Sequence, residues 1–257
     1  MSQNLDKLLA QLVNLHPKYI DLSLDRLLKL LNKLGNPHLK IPPVIHIAGT
    51  NGKGSILSFL HHILMENNFL THSYISPHLK SFNERIVLAN KKINENKLFK
   101  NLLYVTKIND NKPITFFEIT TAAAFHLFSK EKADFLILET GLGGRLDATN
   151  VIKESLIDII TPISLDHQEF LGKNILKITN EKLGIIKKSS NVIISKQKKI
   201  IKSHIKNKLK NKKNKILFFN NQFKIIEKST EKFTIEFKKK RFKYNNPKLI
   251  GEHQIEN

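Results

Sequence analysis

Apolar residues recur at helical spacing near the start of the chain: Leu5, Leu8, Leu9 and Leu12, then Leu24, Leu27, Leu28 and Leu31. Such stripes cover one face of a helix, so the pattern predicts helices over residues 5–15 and 22–34. Pro42–Pro43 ends that region, because proline supplies no backbone donor. Short apolar runs follow at Val44–Ala48, 69–75, Ala133–Leu138, Ile157–Ile163 and Val192–Ile194. They are too short for helices and read as buried strands, the second stopped by Pro77. Between them, Ile56–Asn67, Thr120–Lys130 and residues 174–187 read as helices. Strands alternating with helices predict an α/β fold with a mostly parallel sheet flanked by helices. After residue 215 the pattern changes to period two. The segments ILFF, FKIIEK and FTIEFKKKRFKY are expected as short antiparallel strands forming a small peripheral β subregion. No internal repeat is visible.

The 257 residues, 40% of them hydrophobic, suffice for a sizeable core. The absence of cysteine excludes disulfides and thiolate chemistry. Asp6 interrupts the N-terminal apolar positions, so no signal peptide is expected. No run approaches the roughly 20 apolar residues of a membrane span. A cytoplasmic protein without a membrane partner is expected. The net charge of +21 raises the possibility of a nucleic-acid partner. Yet 21 Lys and Arg against three acids between Lys187 and Lys248 supply +18 of it, and the rest of the chain is close to balanced. A solvated basic surface is the preferred reading, and nucleic acid is not expected as a partner.

The strongest local signal is HIAGTNGKGS at residues 46–55, between a predicted strand and a predicted helix. Gly49, Gly52 and Gly54 let backbone N–H groups fold around phosphate oxygens, and the helix start favours the anion. Lys53 would face the β- and γ-phosphates, and Thr50 or Ser55 offers a hydroxyl near a metal. The match to G-x-x-x-x-G-K-[ST] is imperfect: Ile47 stands where the first glycine belongs, and Gly54 separates Lys53 from Ser55. Three further candidates sit at strand ends, where ligands of open α/β sheets bind. They are Ser76, Glu139 and the pair Asp166–His167, with oxygen donors of the kind Mg²⁺ prefers. Taken singly, such acids more often cap helices, and His46 and His126 read as packed or surface residues. Recurrence beside a phosphate loop is what raises the group above that reading.

With these residues in view, the chain resembles a known family. HIAGTNGKGS (46–55), SPHLKSFNERI (76–86), TFFEITT (115–121), ETGLGGRLDATNVI (139–152), LDHQEFLG (165–172), EKLGIIKK (181–188) and GEHQIEN (251–257) occur in order. Together they resemble the dihydrofolate synthase/folylpolyglutamate synthase branch of the Mur ligase superfamily. The resemblance implies a P-loop-type sheet and an ATP-dependent acid–amino-acid ligase that adds L-glutamate to dihydropteroate or folate. An acyl phosphate would be the intermediate, with ATP and Mg²⁺ taking part.

The resemblance further places nucleotide contacts at Gly49, Thr50, Asn51, Gly52, Lys53, Gly54, Ser55 and Asn257, and Mg²⁺ ligands at Ser76, Glu139 and His167. It places substrate contacts at Ile20, Asp21 and Leu22, at Ile114, Thr115, Phe116 and Phe117, and at Leu146, Asp147 and Ala148. Lys182 matches a lysine carried as a carbamate, which turns a cation into a carboxylate-like metal ligand, so Lys53, Lys182 and His167 are the implied catalytic residues. Thr140 and Leu183 depart mildly from the family pattern. Residues 1–257 are expected to form one ATP-binding domain, with 196–250 its basic, β-rich periphery and the family's C-terminal glutamate-ligase domain absent. A monomer is expected. Two readings compete: a Mur-type ligase of cell-wall peptide, and a nucleic-acid binder using Phe218, Phe219, Phe223, Phe233, Phe237 and Phe242 among its lysines.

Overall fold

A computed structural model of the chain describes residues 2–18 and 20–257. The main sheet contains β1 (Val44–Ala48), β2 (Thr71–Tyr74), β3 (Ile86–Leu88), β4 (Lys91–Lys92), β5 (Phe135–Glu139), β6 (Ile157–Ile160), β7 (Asn191–Ile194) and β8 (Ile216–Phe218). Their order is β4-β3-β2-β5-β1-β6-β7-β8. From β2 through β8 every pair is parallel, while β3 and β4 turn back antiparallel at one edge. The mostly parallel α/β sheet expected from the sequence is therefore the architecture found.

Side chains alternate across this sheet. Val44, Tyr74, Leu136 and Leu138 join one core with Leu5, Leu8 and Leu12 of α1 (Ser2–Val13) and Leu27, Leu30 and Leu31 of α2 (Asp25–Lys33). The same core takes Leu98, Leu102 and Val105 of α4 (Glu95–Asn109) and Ile119, Ala122 and Phe125 of α5 (Phe116–Phe128). Ile45, Ile47, Ile137 and Ile159 point the other way, onto Ile56 and Leu57 of α3 (Lys53–Glu66). Ile160, Val192 and Ile194 pack on Ile178 of α7 (Ile175–Leu183) and on Ile201, Ile205 and Leu209 of α8 (Lys199–Leu209). The short α6 (Gln168–Leu171) lies between β6 and α7 in the chain. A second, antiparallel sheet holds β9 (Phe223–Lys228), β10 (Lys232–Phe237) and β11 (Lys240–Asn245).

Several expectations change. Ile216–Phe218 belongs to the main sheet, parallel to β7, rather than to the antiparallel subregion. The cause is α8, which supplies the crossover that a parallel connection needs. β6 stops at Ile160, before Pro162, and the helix expected over 174–187 ends at Leu183. α3 opens at Lys53, directly on the glycine loop. Among the described residues, no helix is long and apolar enough to cross a membrane.

Register fixes where the loops emerge. Ile47 pairs with Glu139, Ala48 with Ile160, and Tyr74 with Leu138. The segments that follow β1, β2, β5 and β6 therefore leave the same end of the sheet, the carboxyl end where ligands of such folds bind.

Candidate functional site

The loop after β1 is built by close approach. Gly49 has φ +153°, and a Cβ there would lie 1.8 Å from Thr161 Oγ1, so only glycine lets β1 and β6 meet at this point. Thr50 N–H and Asn51 N–H both donate to the Pro162 carbonyl, at 3.0 and 3.2 Å. Thr50 Oγ1 donates to Ser164 O and accepts from Ser164 N–H, each at 3.1 Å. Gly52 then caps α3 with φ +83°, leaving the first N–H groups of a 14-residue helix aimed at the loop. Gly54 and Ser55 lie in its first turn. Lys53 Nζ reaches the Gly49 and Thr50 carbonyls at 3.3 Å and lies 4.0 Å from Glu139 Oε1.

Glu139 is only 6% exposed at the end of β5, and its Oε2 accepts from Ser76 N–H at 3.5 Å. Burial pushes its carboxyl up to about 7, against the opposing pull of Lys53 and the Ser76 N–H. Lys182 is 2% exposed at the end of α7, and its Nζ donates to the Gly49 carbonyl at 2.8 Å. Burial and then the Lys53 charge lower it to about 8, with Asp166 and Asp147 pulling the other way. The structure thus gathers Lys53, Ser76, Glu139 and Lys182 around one glycine loop. His167 joins through its neighbour: its Nε2 lies 3.6 Å from the Asp166 carboxylate, whose charge acts on Lys182. The His167 backbone is held left-handed at φ 46°, which is costly for a side-chain-bearing residue, and the imidazole is half exposed.

No group of three or more His, Cys, Asp and Glu side chains is poised for a metal among the described residues. The donors present still suit Mg²⁺. A carboxyl is held toward its neutral form by burial, against the pull of Lys53, and Ser76 stands beside it.

The three segments implied for substrate also converge. Asp21 accepts from Arg26 Nη1 at 2.8 Å, and Arg26 reaches the buried Glu118 of α5 at 3.2 Å. Glu118 closes a capping box with Thr115, the N-cap of that helix. Ile20 and Leu146 are half-buried, and Leu22 packs in one cluster with Leu142. Phe117 stacks on Tyr74, and Phe116 meets Phe82 edge-on. Ile114 and Ala148 are buried in the core. Asp147 turns inward, accepting from Thr149 N–H, Thr149 Oγ1 and Leu142 N–H, so its carboxylate staples its own loop. Burial raises its pKa. Arg145 pairs with Glu181, which fastens the same loop to the helix carrying Lys182.

Asn257 lies on the phosphate loop: a Cβ on Gly52 would sit 2.5 Å from its Oδ1. The preceding Glu256 binds Lys196 at 3.0 Å and Lys228 at 3.4 Å, tying this segment to the chain just after β7 and to β9. A cleft of about 770 Å³ opens here between Asn51, Gly52 and Ser55 on one wall and Lys196–Lys198, His253 and Asn257 on the other. That is within the size range of small-molecule sites. Nothing in the sequence pattern alone marks Arg26, Glu118, Arg85 or Glu256: Arg26 meets Glu118 and Glu256 meets Lys196 across long stretches of chain, and Arg85 packs on aromatic rings.

Residues 47–257 match the Mur ligase middle domain. The chain is 40% identical over 186 residues to the dihydrofolate synthase/folylpolyglutamate synthase of Haemophilus influenzae, covering 72% of this chain and 42% of that protein. It is 40% identical over 171 residues to the dihydrofolate synthetase of Saccharomyces cerevisiae, covering 65% and 40%. The chain thus spans about two fifths of the length of these curated relatives. Among solved structures, Escherichia coli FolC in complex with DHPP and ADP superposes with TM-score 0.88 at 29% identity, covering 98% of this chain and 60% of that one. The folylpolyglutamate synthase of Thermotoga maritima superposes with TM-score 0.82 at 34% identity, covering 92% and 56%. The chain belongs to the Mur ligase family, in its dihydrofolate synthase/folylpolyglutamate synthase branch.

Proposed function

We propose that this chain is the nucleotide- and metal-handling unit of an ATP-dependent ligase that joins L-glutamate to dihydropteroate or folate in the cytoplasm. The observation that carries this reading is the convergence of Lys53, Glu139 and Lys182 on the Gly49–Ser55 loop at the carboxyl end of a parallel sheet. The N–H groups opening α3, with Lys53, would hold the β- and γ-phosphates. Thr50 and Ser164 hold the loop's shape, and Asn257 with Gly52 lines the nucleotide cleft. Ser76, Glu139 and His167 would hold Mg²⁺, which supplies charge neutralisation as the γ-phosphoryl group moves. A carboxylate oxygen of the acid substrate attacks the γ-phosphorus, and the bond to the ADP oxygen breaks. The glutamate amine then attacks the acyl carbon, losing a proton as the amide forms and phosphate leaves. The segments around Asp21, Phe116 and Asp147 would seat the acid, and residues 1–257 would act as one unit with the small sheet as its periphery.

Binding of a non-hydrolysable ATP analogue with Mg²⁺ and, in a separate assay with ATP, ADP release on adding each acid with L-glutamate test the proposal. Dihydropteroate or folate should promote release and a muramoyl peptide should not. Failure of the chain to bind the analogue, or selective response to the muramoyl acceptor, would overturn it.

A further inference from the structure

His46 is the one polar side chain of β1. The other four residues of the strand are apolar, and all five are buried. Its Nε2 lies 2.9 Å from Thr149 Oγ1, in the loop that follows β5. Thr149 Oγ1 in turn donates to Asp147 Oδ1 at 2.5 Å. A hydroxyl has one hydrogen to give, so Thr149 accepts from His46, and the imidazole hydrogen sits on Nε2. Nδ1 is then a bare acceptor, and it has no partner among the described residues. Asp158 stands beside His46 across the ladder, yet its two oxygens are taken by Ser155 Oγ and Lys187 N–H, at 2.7 and 2.9 Å. Burial, and then the Lys187 charge, keep the ring neutral, its pKa lowered to about 3.

An imidazole placed this way costs stability. A buried acceptor without a donor forfeits the hydrogen bonds it made to water, a loss that an apolar side chain would not incur. What His46 returns is position. β1 runs from it through Ile47 and Ala48 directly into Gly49 and the phosphate loop. Thr149 and Asp147 belong to the loop read as seating the acid, and Asp147 closes that loop on itself through the N–H groups of Leu142 and Thr149. Arg145 and Asn150 tie the loop to Glu181, Gly184 and Lys187, in and after α7. His46 ties it instead to the strand that carries the nucleotide loop.

We propose that His46 is a positioning residue that, acting through Thr149, sets the Asp147 loop against the phosphate loop and so aligns the acid with the nucleotide. This rests on the function proposed above and adds a residue that touches neither ligand.

Equilibrium binding of dihydropteroate, folate and a non-hydrolysable ATP analogue would be measured for the wild-type chain, His46→Leu, His46→Gln, His46→Asn, Thr149→Val and the double variant His46→Leu with Thr149→Val, with thermal unfolding of each. His46→Leu should weaken acid binding about tenfold, the scale of one hydrogen bond, while the ATP analogue binds as before. His46→Gln, whose amide reaches the Nε2 position, should recover acid affinity. His46→Asn, which reaches only as far as Nδ1, should not. The double variant should bind the acid no more weakly than Thr149→Val, because both changes cut one link. Nitrogen shifts of the wild-type chain labelled at histidine should show His46 neutral, with its hydrogen on Nε2, from pH 5 to 8. That arm stands even if the variants do not fold. A hydrogen on Nδ1, wild-type acid affinity in a folded His46→Leu chain, or additive losses in the double variant would overturn the proposal. Equal losses for acid and analogue would mark a general packing defect and overturn it as well. A wild-type chain that binds the ATP analogue but neither acid would overturn it too. One that binds neither nucleotide nor acid would sink the proposed function instead, and this inference with it.

Discussion

Glu139→Gln is expected to stabilise the metal-free, nucleotide-free protein. The carboxyl of Glu139 ionises at about 7 in the folded chain, against an ordinary value of 4.5, because burial disfavours its charged form. Between those values the folded state keeps a proton that the unfolded state has lost. Stability therefore falls as pH rises through the window, and the loss is complete above about 7. At about 1.4 kcal/mol per pH unit, the interval from 4.5 to about 7 costs about 3 kcal/mol. Glutamine mimics the protonated acid in shape and never ionises, so it escapes this cost. The wild-type curve alone would hide the effect. His46, fully buried and lowered to about 3, acts in the opposite sense as pH falls through 6.5. The difference between variant and wild type cancels His46.

Urea unfolding followed by circular dichroism, from pH 4.5 to 8 in a chelator, gives that difference, since the chain has no tryptophan to report by fluorescence. The two proteins should have similar stability near pH 4.5, and Glu139→Gln should be the more stable by about 3 kcal/mol at pH 8. Adding Mg²⁺ with an ATP analogue should reverse the order, because a bound cation supplies the charge the carboxylate lacks. A flat difference across the pH range would refute the argument that burial, undercompensated by Lys53, governs this carboxyl.

Lys53→Met should keep the fold and weaken nucleotide binding at least tenfold, about 1.4 kcal/mol, read by calorimetry. Gly49→Ala should unfold the chain or shift its thermal midpoint sharply, because the new Cβ would fall 1.8 Å from Thr161 Oγ1. Arg26→Ala should cost about 2–3 kcal/mol in urea, since it leaves the 3%-exposed Glu118 without its cation, discounted for the partial exposure of Arg26. Asn257→Ala should weaken the ATP analogue while leaving acid binding unchanged in the same titration.

Legibility in the sequence followed locality. Val44–Ala48 and the glycines behind it announced strand, loop and helix, because each of those choices is made by neighbours in the chain. α8 was hidden: Ile201, Ile205 and Leu209 have helical spacing, but the lysines between them drew the reading toward a solvated or nucleic-acid-binding face. α4 has an Asn94 cap, a Leu98, Leu102 and Val105 stripe and Pro113 just beyond its end, so its bounds and its buried face are written locally too. In the site, Lys53, Ser76 and Glu139 could be placed beside one another because parallel register lines up strand ends. Arg26 could not: the Glu118 carboxylate it pairs with lies 92 residues away, and their meeting is a property of three-dimensional packing.

The charges around the loop explain why a lysine suits the position of Lys182. Lys53 and Lys182 face Glu139, whose carboxyl burial pushes up to about 7, with Asp166 and Asp147 also acting on Lys182. At pH 7 an amine with a pKa of about 8 is neutral in roughly one molecule in ten, against about one in three thousand at the ordinary 10.5. Only the neutral amine can add carbon dioxide, so burial raises the reactive fraction some three-hundredfold. The resulting carbamate nitrogen retains one hydrogen, enough to keep the bond that Lys182 Nζ donates to the Gly49 carbonyl. The modification implied by the family resemblance would then reverse the sign of this side chain without unmaking the contact that fixes it to the phosphate loop. A glutamate at this position could accept a metal, but it has no hydrogen to give Gly49 and would face that carbonyl oxygen with its own.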